Sequence, residues 1–303
     1  MASHYYSVQV QKGTGRHMLL PRETKIRVAS EMVRTSLNTL IAINIIANDL
    51  DLAKLATYLM ASVMTDSISA GRIPSYIFPS STTAATSIRA FSAVCRAKRF
   101  SGRSFNMDEY LVSEPNSDPM LLPSDHPLSL QKQMEETGLF KVPDWAPYFP
   151  AIADVGTGHF ERRIEAWGGI DMVVLPYGVN GHVGFYEPRD HQSTDAARVE
   201  TVSLQSVVEQ TRERNARLMG ANMDEIPGYA VTVGPGTIFG VPGLLSPPRH
   251  VLLMATQKEK AGITKRALTE RVSAECPLSF VQEYIANGGM LTVLLTEEAA
   301  SSF

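Results

Sequence analysis

Three glycines, a histidine and a carboxylate fall within one short stretch, Gly178-Val179-Asn180-Gly181-His182-Val183-Gly184-Phe185-Tyr186-Glu187. Glycines at 178, 181 and 184 let a backbone turn sharply and approach a ligand closely. His182 and Glu187 are groups able to move or stabilise a proton near neutral pH. The apolar run just before them, Asp171 to Leu175, reads as a buried parallel strand, and the loop after such a strand is where open α/β sheets place ligands. The pattern offers acid–base chemistry on a small molecule. The same residues also fit a glycine-rich turn carrying an incidental histidine.

Such a loop needs a sheet to hold it, and the sequence supplies one. After Gly71, short β-type runs alternate with amphipathic helical runs: a strand at 75–78, a helix at 83–98, a strand at 105–110. Further strands are expected at 171–175, 198–204, 229–233, 250–255 and 290–296, with helices at 157–167, 205–219 and 259–272. This is the βαβ rhythm of a three-layer, Rossmann-like α/β fold, a mostly parallel sheet with helices on both faces. Residues 1–50 read as an N-terminal arm and helical extension to an α/β domain over 51–303. Within the extension, Ile26, Val28, Met32, Val33, Leu37, Leu40 and Ile41 roughly follow helical spacing. A second helix follows over 52–68 with Asp51 as its N-cap. The Pro-, Ser- and Asp-rich segment 111–127 reads as a long surface loop, one use of which is a lid.

The 303 residues carry a formal net charge of −3 spread along the chain, so there is no basic field for nucleic acid and small-molecule partners are favoured. The cluster Arg96, Lys98, Arg99 and Arg103 fits a solvated helix end and is assigned no role. Two cysteines, Cys95 and Cys276, make neither a disulfide framework nor a structural zinc site. With no apolar stretch of membrane-spanning length and no signal peptide, the reading is a soluble, cytoplasmic protein without a membrane partner.

Four ordered motifs add a resemblance: Asn106-Met107-Asp108-Glu109-Tyr110, the segment from Asn180 to Pro188, Thr211-Arg212-Glu213-Arg214-Asn215-Ala216-Arg217, and Thr232-Val233-Gly234-Pro235-Gly236-Thr237. Together with Gln257-Lys258 they resemble the glucosamine-6-phosphate deaminase/isomerase family over about residues 52–298. The resemblance implies that Asp108 shuttles a proton between C2 and C1 of an opened sugar phosphate. It implies that His182 promotes ring opening, with Glu187 orienting it and Asn180 beside it. Gly178 and Gly181 fall in the substrate loop, Arg217 and Lys258 take the phosphate, and no metal or organic cofactor is required. The partner implied is a phosphorylated sugar, and a homo-oligomer is left open.

The chain departs from the family where a glycine-rich phosphate loop is usual. Phe78-Pro79 is followed by Ser80-Ser81-Thr82-Thr83, whose hydroxyls would have to compensate for the glycines by donating to phosphate. Asn180 replaces an aspartate common in the family, and Arg189-Asp190-His191-Gln192 replaces a Gly-Ser-Ser continuation. At the positions of an allosteric basic pair stand Arg198 and Glu200, and the glutamate would repel a phosphorylated activator. Two other readings stand beside amino-sugar phosphate deamination. One is the related phosphogluconolactonase, which the Asp-Glu-Tyr and Phe-Tyr-Glu-Pro segments fit less well. The other is a sugar-phosphate sensor, disfavoured by the retained Asp108, His182 and Glu187 and by the absence of a DNA-reading helix in the first 50 residues.

Overall fold

Successive residues of the central strands part to opposite faces of one sheet in the computed structural model, which describes residues 2–6, 26–112, 118–188, 199–203, 213, 216, 217, 220, 222 and 226–303. Tyr76 and Phe78 pack into one core while Ile77 packs into the other. Met172 and Val174 are divided in the same way from Val173 and Leu175. A strand has this period of two, and unbroken apolar runs are what a sheet covered on both faces requires.

The strands in chain order are β1 (Ala2–Tyr6), β2 (Ile26–Arg34), β3 (Leu40–Ile46), β4 (Ser75–Phe78), β5 (Arg103–Asn106), β6 (Asp108–Val112) and β7 (Met120–Leu121). They continue with β8 (Ala146–Tyr148), β9 (Met172–Leu175), β10 (Glu200–Ser203), β11 (Tyr229–Thr232), β12 (His250–Ala255) and β13 (Met290–Thr296). Nine of them form one sheet in the order β1-β2-β3-β13-β12-β9-β4-β5-β8, parallel from β3 to β8, and β10-β11-β6-β7 form a smaller antiparallel sheet. Helices α1 (Asp49–Ser69) and α2 (Thr82–Lys98) cover one face through Leu52, Met60, Met64, Ile88 and Phe91. Helix α3 (Leu130–Glu136) adds Met134 to that core. The other face is covered by α4 (His159–Ala166), α5 (Pro235–Phe239), α6 (Ala261–Thr269) and α7 (Val281–Ala286), with Phe160, Ile164, Ile238, Leu268 and Val281 inward. These are the three layers expected from the βαβ rhythm.

Between β4 and β9 the chain changes direction across the sheet: from β4 it proceeds to β5 on one side, and from β9 to β12 on the other. The crevice outside the strand ends at such a point is the standard ligand site of an open α/β sheet. The opposite end is fixed by Asp171, whose buried carboxylate accepts from Ser67 Oγ at 2.6 Å, the Ser75 amide at 2.9 Å and Arg72 at 3.2 Å. That network ties α1, β4 and β9 together at their far ends from the crevice.

Several expectations are corrected. Residues 26–46 form a β-hairpin and not a helix. Ile26, Val28, Ile41, Ile43 and Ile46 are buried in strand alternation, and the chain reverses at Thr35–Thr39, where Asn38 takes a left-handed φ of 64°. β3 then pairs in parallel with β13, so this segment is part of the main sheet. The N-cap of α1 is Asn48, whose side chain accepts from the Asp51 amide, rather than Asp51 itself. The run 105–110 is divided between two sheets, and α6 spans only Ala261–Thr269 of the expected 259–272. Only Glu213, Ala216 and Arg217 of the helix expected at 205–219 are described. Arg198 and Arg189 to Gln192 lie outside the described residues, as does 113–117 of the expected surface loop. No helix among the described residues is long and apolar enough to cross a membrane.

Because Ile43 is fully buried against the main sheet, Ile43→Ala should destabilise the protein by about 2–4 kcal/mol in chemical denaturation, the usual cost of a core cavity. A peripheral arm would lose almost nothing from the same substitution.

Candidate active site

The crevice at the switch point is a cleft of about 700 Å³. Its walls come from four strand ends: Pro79 to Thr82 after β4, Met107 and Asp108 after β5, Pro176 to Val179 after β9, and Gln257, Glu259 and Lys260 after β12. Helix α3 and its approach close one side with Pro127, Leu130, Lys132, Gln133 and Glu136.

The glycine loop is tightly folded. The Gly178 amide donates to the His182 carbonyl at 2.9 Å and the Gly181 amide to the Gly178 carbonyl at 3.1 Å. Gly181 has φ of 87°, a conformation that a side chain at that position would resist. At Gly178 the demand is for space: a Cβ there would fall 2.1–2.4 Å from three atoms of the His182 imidazole. The loop is thus wrapped around its own histidine.

His182 and Glu187 are both buried, and Nδ1 of His182 lies 3.0 Å from Oε1 of Glu187. The two are close enough for an ion pair, although the ring N–H is not aligned for a hydrogen bond. The other Glu187 oxygen accepts from Asn180 Nδ2 at 2.6 Å, and Asn180 Oδ1 accepts from the His182 amide at 3.2 Å. An asparagine serves both contacts at once, as donor to the carboxylate and acceptor from the backbone. An ionised aspartate in its place could only accept.

Asp108 is the first residue of β6, opposite Thr232 of β11. A Cβ on Gly184 would sit 3.5 Å from Asp108 Oδ2 and 2.7 Å from Thr232 Oγ1, so the carboxyl lies directly against the glycine loop. Thr232 holds that loop in place, accepting from the Phe185 amide at 2.9 Å. Burial, and secondarily the neighbouring charge of Glu109, raise the Asp108 pKa to about 8. A carboxyl of that kind can hold or give up a proton near neutrality.

Ser80, Ser81 and Thr82 line the cleft, whereas Thr83 lines an adjoining depression between the first turns of α1 and α2. None of residues 80–83 has a positive φ. The loop therefore escapes the steric penalty expected when hydroxyl residues replace glycines. It runs extended into α2, with Ser81 at the N-cap at φ −137° and making no side-chain cap bond.

The two cations expected at the phosphate, Arg217 and Lys258, do not line this cleft. Lys258 is exposed and lines the adjoining depression, and Arg217 is exposed and does not line the cleft. Lys260, two residues on, is buried in the cleft wall with Nζ 5.4 Å from the ring centroid of Tyr177. Residues 258–260 form a single 3₁₀ turn, which sends their side chains in different directions. The available signal was position: Lys260 directly precedes α6, at the junction of strand and helix. Sequence reasoning also missed Tyr177, Thr232 and the part played by Glu109.

The raised Asp108 pKa has a consequence for stability. The unfolded carboxyl ionises near its usual 3.8 while the folded one stays protonated to about 8, so folding is progressively penalised as pH rises through that window. Asp108→Asn, which cannot ionise, should be more stable than wild type by roughly 1–3 kcal/mol at pH 8. The difference should shrink toward zero at pH 4 in paired thermal melts. A difference independent of pH would show that the carboxyl is not desolvated.

Comparison with known proteins agrees with this geometry. No protein-family model matches the chain. The chain is 32% identical over 206 residues to glucosamine-6-phosphate deaminase of Arthrobacter sp. (strain FB24), covering 66% of this chain and 69% of that protein. The solved structure of a monomeric glucosamine-6-phosphate deaminase superposes with a TM-score of 0.67 at 25% identity, covering 85% of this chain and 98% of that one. 6-Phosphogluconolactonase from Trypanosoma brucei shares the fold, with a TM-score of 0.59 at 18% identity over 90% of this chain and all of that one. The chain belongs to the glucosamine-6-phosphate deaminase family.

Proposed function

We propose that the cleft converts an amino-sugar phosphate of the glucosamine 6-phosphate type into a keto-sugar phosphate and ammonia. The observation that carries this reading is the placing of a buried, proton-holding carboxyl, Asp108, against the loop that folds around His182. Aldose–ketose isomerisation needs a base that removes a proton beside a carbonyl and returns it to the next carbon. Lactone hydrolysis needs no acceptor for a carbon-bound proton.

In this reading His182, oriented by Glu187 and Asn180, moves a proton between the ring oxygen and the anomeric hydroxyl and so opens the sugar. Asp108 then takes the C2 proton while O1 gains a proton, leaving an enolamine, and delivers its own proton to C1 as the nitrogen gives one up. The amine is now an imine on C2, and water cleaves it to a ketone and ammonia. Atoms balance with one water consumed, and no redox partner takes part. Gly178 and Gly181 shape the loop that receives the sugar. For the phosphate, Lys260 lines the same cleft as Ser80, Ser81 and Thr82, and the first turn of α2 favours an anion. Lys258, Arg217 and Thr83 were the sequence's candidates for the same task, and Lys260 is the better placed cation.

Three variants test the assignment. Asp108→Asn should fold and bind substrate yet lose at least ~100-fold in turnover, the low end expected for a lost proton carrier. Near-normal turnover would remove Asp108 from the chemistry. Lys260→Ala should raise the KM for glucosamine 6-phosphate by roughly 10-fold or more, the loss expected for a charge-assisted bond to a dianion. Lys258→Ala should change it little. A larger effect at Lys258 would return the phosphate to the neighbouring depression.

A further inference from the structure

Asp108 and Glu109 are consecutive carboxylates on β6, yet their surroundings are opposite. Glu109 is buried and saturated with donors. Its Oε1 accepts from the Tyr110 amide at 2.8 Å and the Leu130 amide at 3.0 Å, and its Oε2 accepts from Ser129 Oγ at 2.9 Å and the Gln131 amide at 2.8 Å. Three of these donors belong to the start of α3. The first amides of a helix have no partner within it, and the helix dipole favours a negative charge there. Ser129 itself accepts from the Lys132 amide at 3.3 Å, so Ser129 and Glu109 together serve the first three amides of α3.

The helix held in this way is short, and it puts Leu130, Lys132, Gln133 and Glu136 into the cleft wall. Its position relative to Asp108 therefore depends on a side chain that does not itself line the cleft. We propose that Glu109 is a positioning residue for the reaction, a claim that rests on reading Asp108 as the proton carrier. Its carboxylate clamps the first turn of α3 to the strand that opens with Asp108, and it fixes a negative charge one residue from the group that moves the proton.

Among the described residues, the groups around the pair come from several elements. β11 sets Thr232 and Val231 opposite Asp108 and Glu109. The glycine loop contributes His182 and Glu187, α3 contributes Lys132 and Glu136, and the far side of the cleft contributes Glu259, Lys260 and Tyr177. After desolvation, the Glu109 charge is the cause that raises the Asp108 pKa. The two acids of one motif thus divide the work. One is held by four hydrogen bonds, and the other is buried with its pKa raised.

Glu109→Gln keeps the shape but removes the charge and sets an amide N–H2 against the backbone donors of α3. The acid limb of its kcat–pH profile should move down by about one unit, because losing a neighbouring negative charge lowers the Asp108 pKa. KM should rise by roughly 3- to 10-fold as the wall formed by α3 loosens. Ser129→Ala removes one clamp bond and leaves the charge. It should raise KM by roughly 2-fold or more with the acid limb in place. An unmoved acid limb in folded Glu109→Gln would overturn the proposal by showing a purely structural carboxylate. If that variant does not fold, an unchanged KM in Ser129→Ala overturns it instead. Asp108→Asn, assayed alongside, separates the two claims. Retained turnover there sinks the reading of Asp108, whereas lost turnover with an unmoved limb in Glu109→Gln sinks only the role of Glu109.

Discussion

One residue, Met107, belongs to two sheets at once. Its amide donates to the Phe78 carbonyl of β4 at 3.1 Å, extending the main parallel sheet by one bond, and its carbonyl accepts from the Val233 amide at 2.8 Å, opening the small antiparallel sheet. Asn106 before it still pairs with β4 and Asp108 after it already pairs with β11. The step from one sheet to the other is therefore made in a single peptide, with both of its hydrogen-bonding groups satisfied as buried backbone requires. It is made at the strand-end crevice, so the first side chain beyond it faces the cleft. The remaining elements of the site are arranged around that seam. Thr232 holds the glycine loop against it, and Glu109 ties α3 to it.

The seam also accounts for the electrostatics. A carboxyl at the edge of a single sheet would meet solvent, but at the junction of two sheets Asp108 has protein on every side except the cleft. Burial then penalises its charged form, which is the main reason its proton is held toward neutral pH. This state costs stability whenever the carboxyl ionises. The compensating order lies at the other end of the sheet, where Asp171 gathers a serine, an arginine and a backbone amide, and in the two apolar cores.

The parts that were legible in the sequence are those in which local pattern and tertiary environment agree. Strands 75–78 and 250–255 have the expected bounds because they are short and buried on both faces, and 290–296 keeps its bounds with its last four residues buried. The hairpin at 26–46 was misread because Ile26, Val33, Leu37 and Leu40 fall at spacings that suit a helix as well as a strand. What decides between them is the partner β13, about 250 residues away. The single strand expected at 105–110 failed for a related reason: the backbone stays extended through Met107, and the change of sheet is set by distant partners, β4 on one side and β11 on the other. The loop around His182 was legible through its glycines, and His182, Asn180 and Glu187 are in contact there. The place of Lys260 in the cleft wall was not legible, since Lys258 and Lys260 differ in burial and not in chemistry, and both fall in one turn of 3₁₀ helix.

The central claim is that this seam carries amino-sugar isomerisation with loss of ammonia. The measurement that bears on it most directly is coupled detection of ammonia and fructose 6-phosphate from glucosamine 6-phosphate, with 6-phosphogluconolactone assayed in parallel. The account predicts that ammonia and the keto-sugar phosphate are released in equal amounts, with no acceleration of lactone hydrolysis. Lactone hydrolysis without ammonia release would contradict it.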